Sequence, residues 1–233
     1  MTANLDPDAA LADLVEANPA RARVFENRDL DYCCGGGRSL RKACEAEGYD
    51  LEAILDDLEE VDARTAPDDE IDFDSMTEIV DFIVDTHHDY LRDELGPLGD
   101  LIETVVDAHG DNHPELYDLA DVFDDLAREL PRHLSEEEQV LFPAVRKLDD
   151  EEASEVEKQT ARATLGNLED DHDETAEHLE EIRRLTDGYQ APDDACPKYE
   201  NMLERLGHLE RDMHMHIHRE NNVLFPAVRA PAS

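Results

Sequence analysis

The amino-acid sequence predicts an all-α protein in which a small helical domain precedes an up-down four-helix bundle. Three observations support this prediction. Apolar residues recur in alternating steps of three and four along four long stretches, as on the buried face of an amphipathic helix. Short breaks separate these stretches, as expected for antiparallel neighbouring helices. An internal repeat also divides the four stretches into two similar pairs.

The first 62 residues form the predicted N-terminal domain. Short helical patterns alternate there with breaks at Asn18-Pro19, at residues 33–37 and at Gly48. Residues 63–74 contain Pro67 and a run of acidic residues without a helical period, so they are predicted to be a linker. Residues 75–233 then form the predicted bundle domain.

The bundle domain contains four predicted helices. Ser75 followed by Glu78 fits a capping box at the start of the first helix. The predicted helices cover residues 75–108, 114–148, 152–187 and 197–229. Prolines interrupt these patterns and are expected to kink or end the helices; they are Pro97, Pro131, Pro143 and Pro226.

The charge of the chain excludes one class of partner. Against 62 Asp and Glu residues stand 21 Lys and Arg residues, which gives a formal net charge of −41. Nucleic-acid binding draws on Lys and Arg that displace counterions from phosphates, so no nucleic-acid partner is expected. Self-repulsion of the acidic residues is screened by salt, which predicts a salt-rich, halophilic cytoplasm as the setting.

Location is predicted from two further features. No stretch approaches the ~20 consecutive apolar residues that span a bilayer, and the first residues lack a basic and apolar leader, so no membrane partner is expected. The four cysteines are too few and too unevenly spaced for a secreted disulfide framework. These features favour a cytoplasmic protein with reduced thiols, either a monomer or a homodimer.

The internal repeat carries polar residues as well as apolar ones. HLSEEEQVLFPAVR at residues 133–146 recurs as HIHRENNVLFPAVR at residues 216–229, and HDYLRDEL at 88–95 has a weaker counterpart in HDETAEHL at 172–179. In the stronger repeat a histidine precedes a glutamate by four residues, which places both on one helical face. Each pair also continues the apolar stripe of its helix without a change of phase.

Six ionisable residues therefore fall at positions that should face the bundle core. They are His88, His133, Glu137, His172, His216 and Glu220. Unpaired polar groups in a core cost about 1 to 3 kcal/mol each, and unpaired charges cost more. A metal ion removes this penalty, whereas the alternative of hydrogen-bonded core histidines explains single residues but not six in register.

The ligand set favours two metals rather than one. Six ligands exceed a closed tetrahedral zinc site, and two histidines for each metal with both glutamates as bridges would account for all six. Mixed imidazole and carboxylate ligands suit iron. We therefore predict two non-haem iron ions, with an oxo or hydroxo bridge and open positions for a small molecule.

The remaining histidines and acids near these motifs are expected to have other roles. Glu136 and Glu138 are out of phase with His133, and Asp173 is a candidate hydrogen-bonding partner of a ligand. The histidines predicted to lie off the ligand stripes or in turns are His87, His109, His113, His178, His208, His214 and His218.

These motifs resemble those of the iron-sulfur cluster repair di-iron proteins, the RIC or ScdA-type family, whose bundle is hemerythrin-like. The resemblance covers nearly the whole chain and includes the Cys-Cys-Gly-Gly stretch at residues 33–36, typical of the ScdA-type N-terminal domain. It implies the same six iron ligands. It also implies repair of iron-sulfur proteins damaged by nitric oxide or oxidants, by iron donation, by nitric oxide reduction, or by both.

One departure from the oxygen-carrying hemerythrins bears on the reaction. In the oxygen carriers, which the bundle resembles, the third helix has an H-x3-H motif. Here Ala176 stands four residues after His172, where the second histidine of that motif would be. The missing imidazole leaves room beside the metals. The alternative function is a hemerythrin-like carrier or sensor of dioxygen or nitric oxide without turnover.

Cys33 and Cys34 are the other candidate functional residues, as redox or iron-transfer thiols. They stand beside three glycines and just before a helix predicted to begin near Arg38 or Ser39. The helix N-terminus and Arg38 should both favour the thiolate, so we expect a pKa below the ~8.5 of a free cysteine. The alternative is that small cysteines merely fit a tight turn.

Overall fold

A computed structural model describes residues 5–64, 73–150 and 153–230 of the chain. The all-α prediction is confirmed, since no β-strand forms within these ranges. The N-terminal helices are α1 (Leu11–Ala17), α2 (Ala22–Glu26), α3 (Leu40–Glu47) and α4 (Leu51–Arg64). Because α4 continues to Arg64, the first two residues of the predicted linker are helical. Most of the rest of that linker, residues 65–72, lies outside the described residues.

The bundle helices agree closely with the predicted ones. The first consists of α5 (Met76–Ile83), a π segment (Val84–His88) and α6 (Asp89–His109). The second consists of α7 (Glu115–Glu136), a π segment (Glu137–Leu141) and α8 (Phe142–Asp149). The third is α9 (Glu155–Leu185), and the fourth consists of α10 (Pro197–His218), a π segment (Arg219–Leu224) and α11 (Phe225–Arg229). Each packs against its neighbours along the chain, and the fourth also packs against the first.

Local sequence explains where two of these helices begin. The Ser75 hydroxyl accepts a hydrogen bond from the Glu78 backbone N–H at 3.2 Å and caps the first bundle helix. A complete capping box, formed by Ser154 and Glu157, begins the third bundle helix.

The prolines are predicted to kink or to end the bundle helices, and none of the four ends one. Pro97 and Pro131 lie inside α6 and α7. Pro143 and Pro226 lie in the first turn of the helical segments that follow a π segment, where a missing N–H is tolerated.

Two apolar clusters fill the interior. One joins the N-terminal helices to one end of the bundle, with Phe25, Leu91, Leu126 and Leu209 among its buried members. The other fills the opposite end of the bundle and contains Ile83, Leu141, Leu165 and Phe225. Between the two clusters lies a layer of polar side chains contributed by all four bundle helices.

The N-terminal domain packs directly against the fourth bundle helix. The side-chain amide of Asn222 donates to the carbonyl oxygens of Cys33 at 2.8 Å and Tyr32 at 3.3 Å. The Tyr32 ring also meets the His218 ring edge to face, with the ring centres 5.6 Å apart. No helix in the described part of the chain is long and apolar enough to cross a membrane.

The acidic composition leads to a prediction about salt. Raising the KCl concentration shortens the screening length from ~10 Å at 0.1 M to ~3 Å at 1 M, which weakens repulsion among the acidic side chains. We expect the melting temperature, followed by circular dichroism, to rise steadily over this range. Sucrose at matched osmolality controls for general solute exclusion. A melting temperature that does not change with KCl would contradict a halophilic protein.

Candidate metal centre

The polar layer contains all six residues that the helical phase selected. The structure brings them together as two groups of four ligands that share both glutamates, Glu137 and Glu220. His88 and His216 complete one group, and His133 and His172 complete the other. In each group the ligand atoms lie within 4.8 Å of one another. The geometry therefore offers two adjacent positions for a cation.

The imidazoles point their Nε2 atoms toward the glutamates. The distances are 3.0 Å from His133 to Glu137 and 3.0 Å from His172 to Glu220. From His88 to Glu137 and from His216 to Glu220 they are 3.3 Å. The Nε2 atoms also approach one another in pairs, at 3.1 Å between His133 and His172. Such convergence of nitrogen and oxygen atoms is typical of a metal site.

The residues present fit a bound metal. Both carboxylate oxygens of Glu137 and of Glu220 are fully buried, and the contacts with the imidazole Nε2 atoms do not give them a well-formed hydrogen bond. Four such oxygens are costly in a core unless positive charge close to them offsets their desolvation. Metal cations would satisfy these oxygens, and carboxylate with imidazole is a ligand set that iron accepts.

The charges in the layer are matched to a cation. Burial alone would raise the pKa of Glu137, but the positive charge of His133 holds that pKa well below its usual range. Burial alone would lower the pKa of His172, but the nearby Glu137 and Glu220 raise it well above its usual range. The two carboxylates therefore stay ionised and favour positively charged partners.

Three of the four imidazoles have a partner for the other ring nitrogen. The Nδ1–H of His88 donates to Glu138 at 2.7 Å, and that of His172 donates to Asn221 at 2.8 Å. Such partners fix the orientation of metal-binding histidines. Glu138 and Asn221 occupy equivalent positions in the internal repeat.

The third partner corrects one prediction. His133 Nδ1 faces Asp171 at 3.4 Å, whereas Asp173, the expected partner, is exposed. Asp171 precedes His172 by one residue and reaches the neighbouring helix, which a pattern within a single helix could not reveal. Glu138 is out of phase with His133 on its own helix, yet it accepts a hydrogen bond from His88 on the first bundle helix.

The π segments lie at the level of this layer. His88 ends the first, Glu137 begins the second and Glu220 is the second residue of the third. A π turn adds a residue to the helical turn and is frequent at functional sites. Phe142, directly after the second π segment, stacks on His88, and Phe225, directly after the third, stacks on His172. The repeated Leu-Phe-Pro motif thus provides an apolar wall beside the imidazoles.

Comparisons with known proteins agree with this geometry. Residues 79–228 match the family described as the hemerythrin HHE cation binding domain, and residues 7–62 match ScdA_N, a domain of unknown function (DUF542). The iron-sulfur cluster repair protein ScdA of Staphylococcus haemolyticus is 30% identical over 218 residues, which cover 94% of this chain and 96% of that protein. The chain belongs to the iron-sulfur cluster repair family.

Two further members of the family are similarly close. The iron-sulfur cluster repair protein YtfE of Citrobacter koseri is 31% identical, with 96% of this chain and 97% of that protein covered. YtfE of an Enterobacter species is 32% identical, again with 96% of this chain and 97% of that protein covered. The likeness extends over both the cysteine-containing domain and the bundle.

The Cys-Cys loop of this family member differs from the sequence expectation. Asp31 accepts hydrogen bonds from the backbone N–H groups of Cys33, Cys34 and Gly35, at 3.0, 2.9 and 2.6 Å. A Cβ atom on Gly36 would lie 2.2 Å from the Tyr32 carbonyl oxygen, so only glycine fits that position. The loop is therefore a tight turn built around a carboxylate.

The predicted low pKa is wrong for Cys33. Cys33 is buried, and its contact with Cys34, its burial and the nearby Asp31 all raise the pKa of its thiol well above the usual range. Arg38 lies 4.0 Å from Glu47, and the first N–H groups of the following helix, those of Leu40 and Arg41, donate to the carbonyl oxygens of Ala9 and Pro7. The two groups expected to favour a thiolate are thus engaged elsewhere.

Replacement of a shared glutamate tests the metal centre. Glu137→Ala or Glu220→Ala removes a ligand common to both groups, so each variant should lose at least half of the bound iron. His178→Ala should retain it, because His178 lies away from the layer beside Glu129. Elemental analysis after anaerobic loading measures the difference, and Glu137→Gln supplies a variant of nearly unchanged size. Equal iron content in all of these variants would contradict the assignment.

Proposed function

We propose that this protein repairs iron-sulfur clusters damaged by nitrosative or oxidative stress, using two non-haem iron ions held in the polar layer. The observation that carries the proposal is the pair of four-ligand groups sharing Glu137 and Glu220. The curated relatives are named iron-sulfur cluster repair proteins, which supports the same function for this chain. Damaged iron-sulfur proteins are then its partners.

The glutamate ligands would be shared by the two irons, and the histidine ligands would not. Glu137 and Glu220 face both positions, and each position has its own pair of histidines. The iron pair supplies exchangeable iron and electrons for redox chemistry when it is bound. Glu138, Asp171 and Asn221 orient three of the imidazoles. Phe142 and Phe225 exclude water on one side of the layer.

Two reactions are compatible with this arrangement. Iron donation requires that metal leave the layer and enter a damaged cluster. Nitric oxide reduction to nitrous oxide consumes two molecules of nitric oxide, two electrons and two protons and releases water; Ala176, one turn after His172, carries no imidazole that would compete for the metals. A carrier or sensor of dioxygen or nitric oxide, the alternative, would bind one molecule reversibly and release it unchanged.

The Cys-Cys loop is proposed to take part in transfer. It lies against the π segment that carries Glu220, through the hydrogen bond from Asn222 to Cys33. Cys34 is more accessible than Cys33 and lies 4.0 Å from it, sulfur to sulfur. We assign Cys34 the role of the more accessible thiol and Cys33 that of its buried neighbour. Both thiols require the reducing conditions of the cytoplasm, which we propose as the location.

A labelled-iron experiment tests the repair function. The protein loaded with isotopically labelled iron is mixed anaerobically with an iron-sulfur protein whose cluster nitric oxide has destroyed, together with sulfide and a reductant. We expect the client's cluster absorption to return with labelled iron in it, and recovery to fall at least tenfold with Glu220→Ala.

Gas analysis of the same mixture separates the functions. Nitrous oxide without label transfer would assign repair to nitric oxide removal. A stable adduct of nitric oxide with neither label transfer nor nitrous oxide would contradict repair and favour the carrier.

Alkylation and serine substitution test the cysteines. Cys33 should react with iodoacetamide only at higher pH than a free thiol, because its pKa is raised. Cys34 should react faster than Cys33 at the same pH, because it is more accessible. The Cys33→Ser/Cys34→Ser variant should keep its iron but repair clusters more slowly, and Cys196→Ser is the matched control. Undiminished repair by the double variant would contradict the proposed role.

A further inference from the structure

The four ligand imidazoles are restrained to different degrees by neighbouring rings. His88 stacks on Phe142, His172 on Phe225 and His216 on His87, with angles of 23°, 8° and 12° between the ring planes. His133 has no stacked ring among the described residues. Its ring meets His172 and His216 only at steep angles, 65° and 66°.

The hydrogen bonds of the imidazoles differ as well: His216 Nδ1 is buried without a hydrogen-bond partner among the described residues, and the other three ligands each have one. His88 Nδ1 lies 2.7 Å from Glu138, which is itself held by Arg92 at 2.5 Å. His133 Nδ1 lies 3.4 Å from Asp171, beyond the usual N–H···O range of 2.7 to 3.2 Å. Asp171 is 26% exposed, and its nearest arginine, Arg132, is 3.8 Å away. Among the three imidazoles with an Nδ1 partner, His133 therefore has the longest contact, and its partner lies at the protein surface.

His216 is restrained by a buried group of three residues, which we call the His87 clamp: Asp212, His87 and Arg219. The His87 Nδ1–H donates to Asp212 at 2.9 Å, and Arg219 donates to His87 Nε2 at 3.0 Å. The His87 ring then stacks on His216, with the ring centres 5.4 Å apart.

The clamp is itself fixed in place. The Arg219 guanidinium lies over the Phe82 ring, 4.5 Å from its centre, and all three clamp residues are largely buried. The charges of Arg219 and Asp212 oppose each other, so the clamp holds the His216 ring without adding net charge. None of the three clamp residues belongs to either four-ligand group.

The two metal positions differ accordingly. We propose that the position completed by His88 and His216 retains its metal, and that the position completed by His133 and His172 releases it toward the surface at Asp171. Release requires a ligand to turn away. His133 has no stacked ring to leave, and its Nδ1 contact is long and leads to the surface. Restraint of ligands by outer partners strengthens metal binding. This inference rests on iron donation as the proposed function and identifies which iron is donated.

Chelator kinetics test the inference without a repair assay. The full-length protein is loaded anaerobically with two ferrous ions per chain and mixed with excess ferrozine, and the coloured complex is followed over time. We expect two phases of equal amplitude whose rates differ at least tenfold. Arg219→Leu should accelerate the slow phase at least fivefold and leave the fast phase unchanged. Arg128→Leu, an exposed arginine paired with Asp125, should change neither phase.

A second variant covers the case in which Arg219→Leu does not fold. Phe82→Leu removes the ring under the guanidinium and keeps every charge, and it should also accelerate the slow phase alone. One phase that releases both irons, or clamp variants that accelerate only the fast phase, would overturn the inference. Loading that stops short of two irons would instead contradict the di-iron proposal itself, so the two failures are distinguishable.

Discussion

The fold is organised around one electrostatic constraint: two fully buried carboxylates must be neutralised in the middle of an apolar bundle. Glu137 and Glu220 sit where the two hydrophobic clusters meet, and four histidines from all four helices surround them. The apolar side chains on either side determine the spacing between the helices. Positions that face the charged layer must instead carry side chains that can pair with the two carboxylates. Packing and chemistry are therefore specified by the same stripe of each helix.

Much of this was predictable from sequence, because helical periodicity is a local property. The six ligand positions follow from the phase of the apolar stripes, and the repeat shows that His133 with Glu137 and His216 with Glu220 are equivalent pairs. The helix ends also agree to within about three residues, since capping residues and short turns mark them.

The features that sequence reasoning missed depend on contacts between helices. Asp171 and Glu138 each serve a histidine on another helix, and no spacing within one helix indicates such a partner. Burial of Cys33 likewise depends on how the N-terminal domain packs on the bundle. The loop's glycines allow close approach of the backbone around Asp31, a role that their position beside the cysteines does not reveal.

The distribution of ligands between the two repeats has a mechanical consequence. Each metal position takes two residues from the first helix pair and two from the second, as His88 and Glu137 do opposite His216 and Glu220. A cation at either position therefore crosslinks the two halves of the bundle, much as a disulfide joins distant segments of a chain. Neither helix pair can complete a site alone, so the duplicated halves hold metal only as a joined unit.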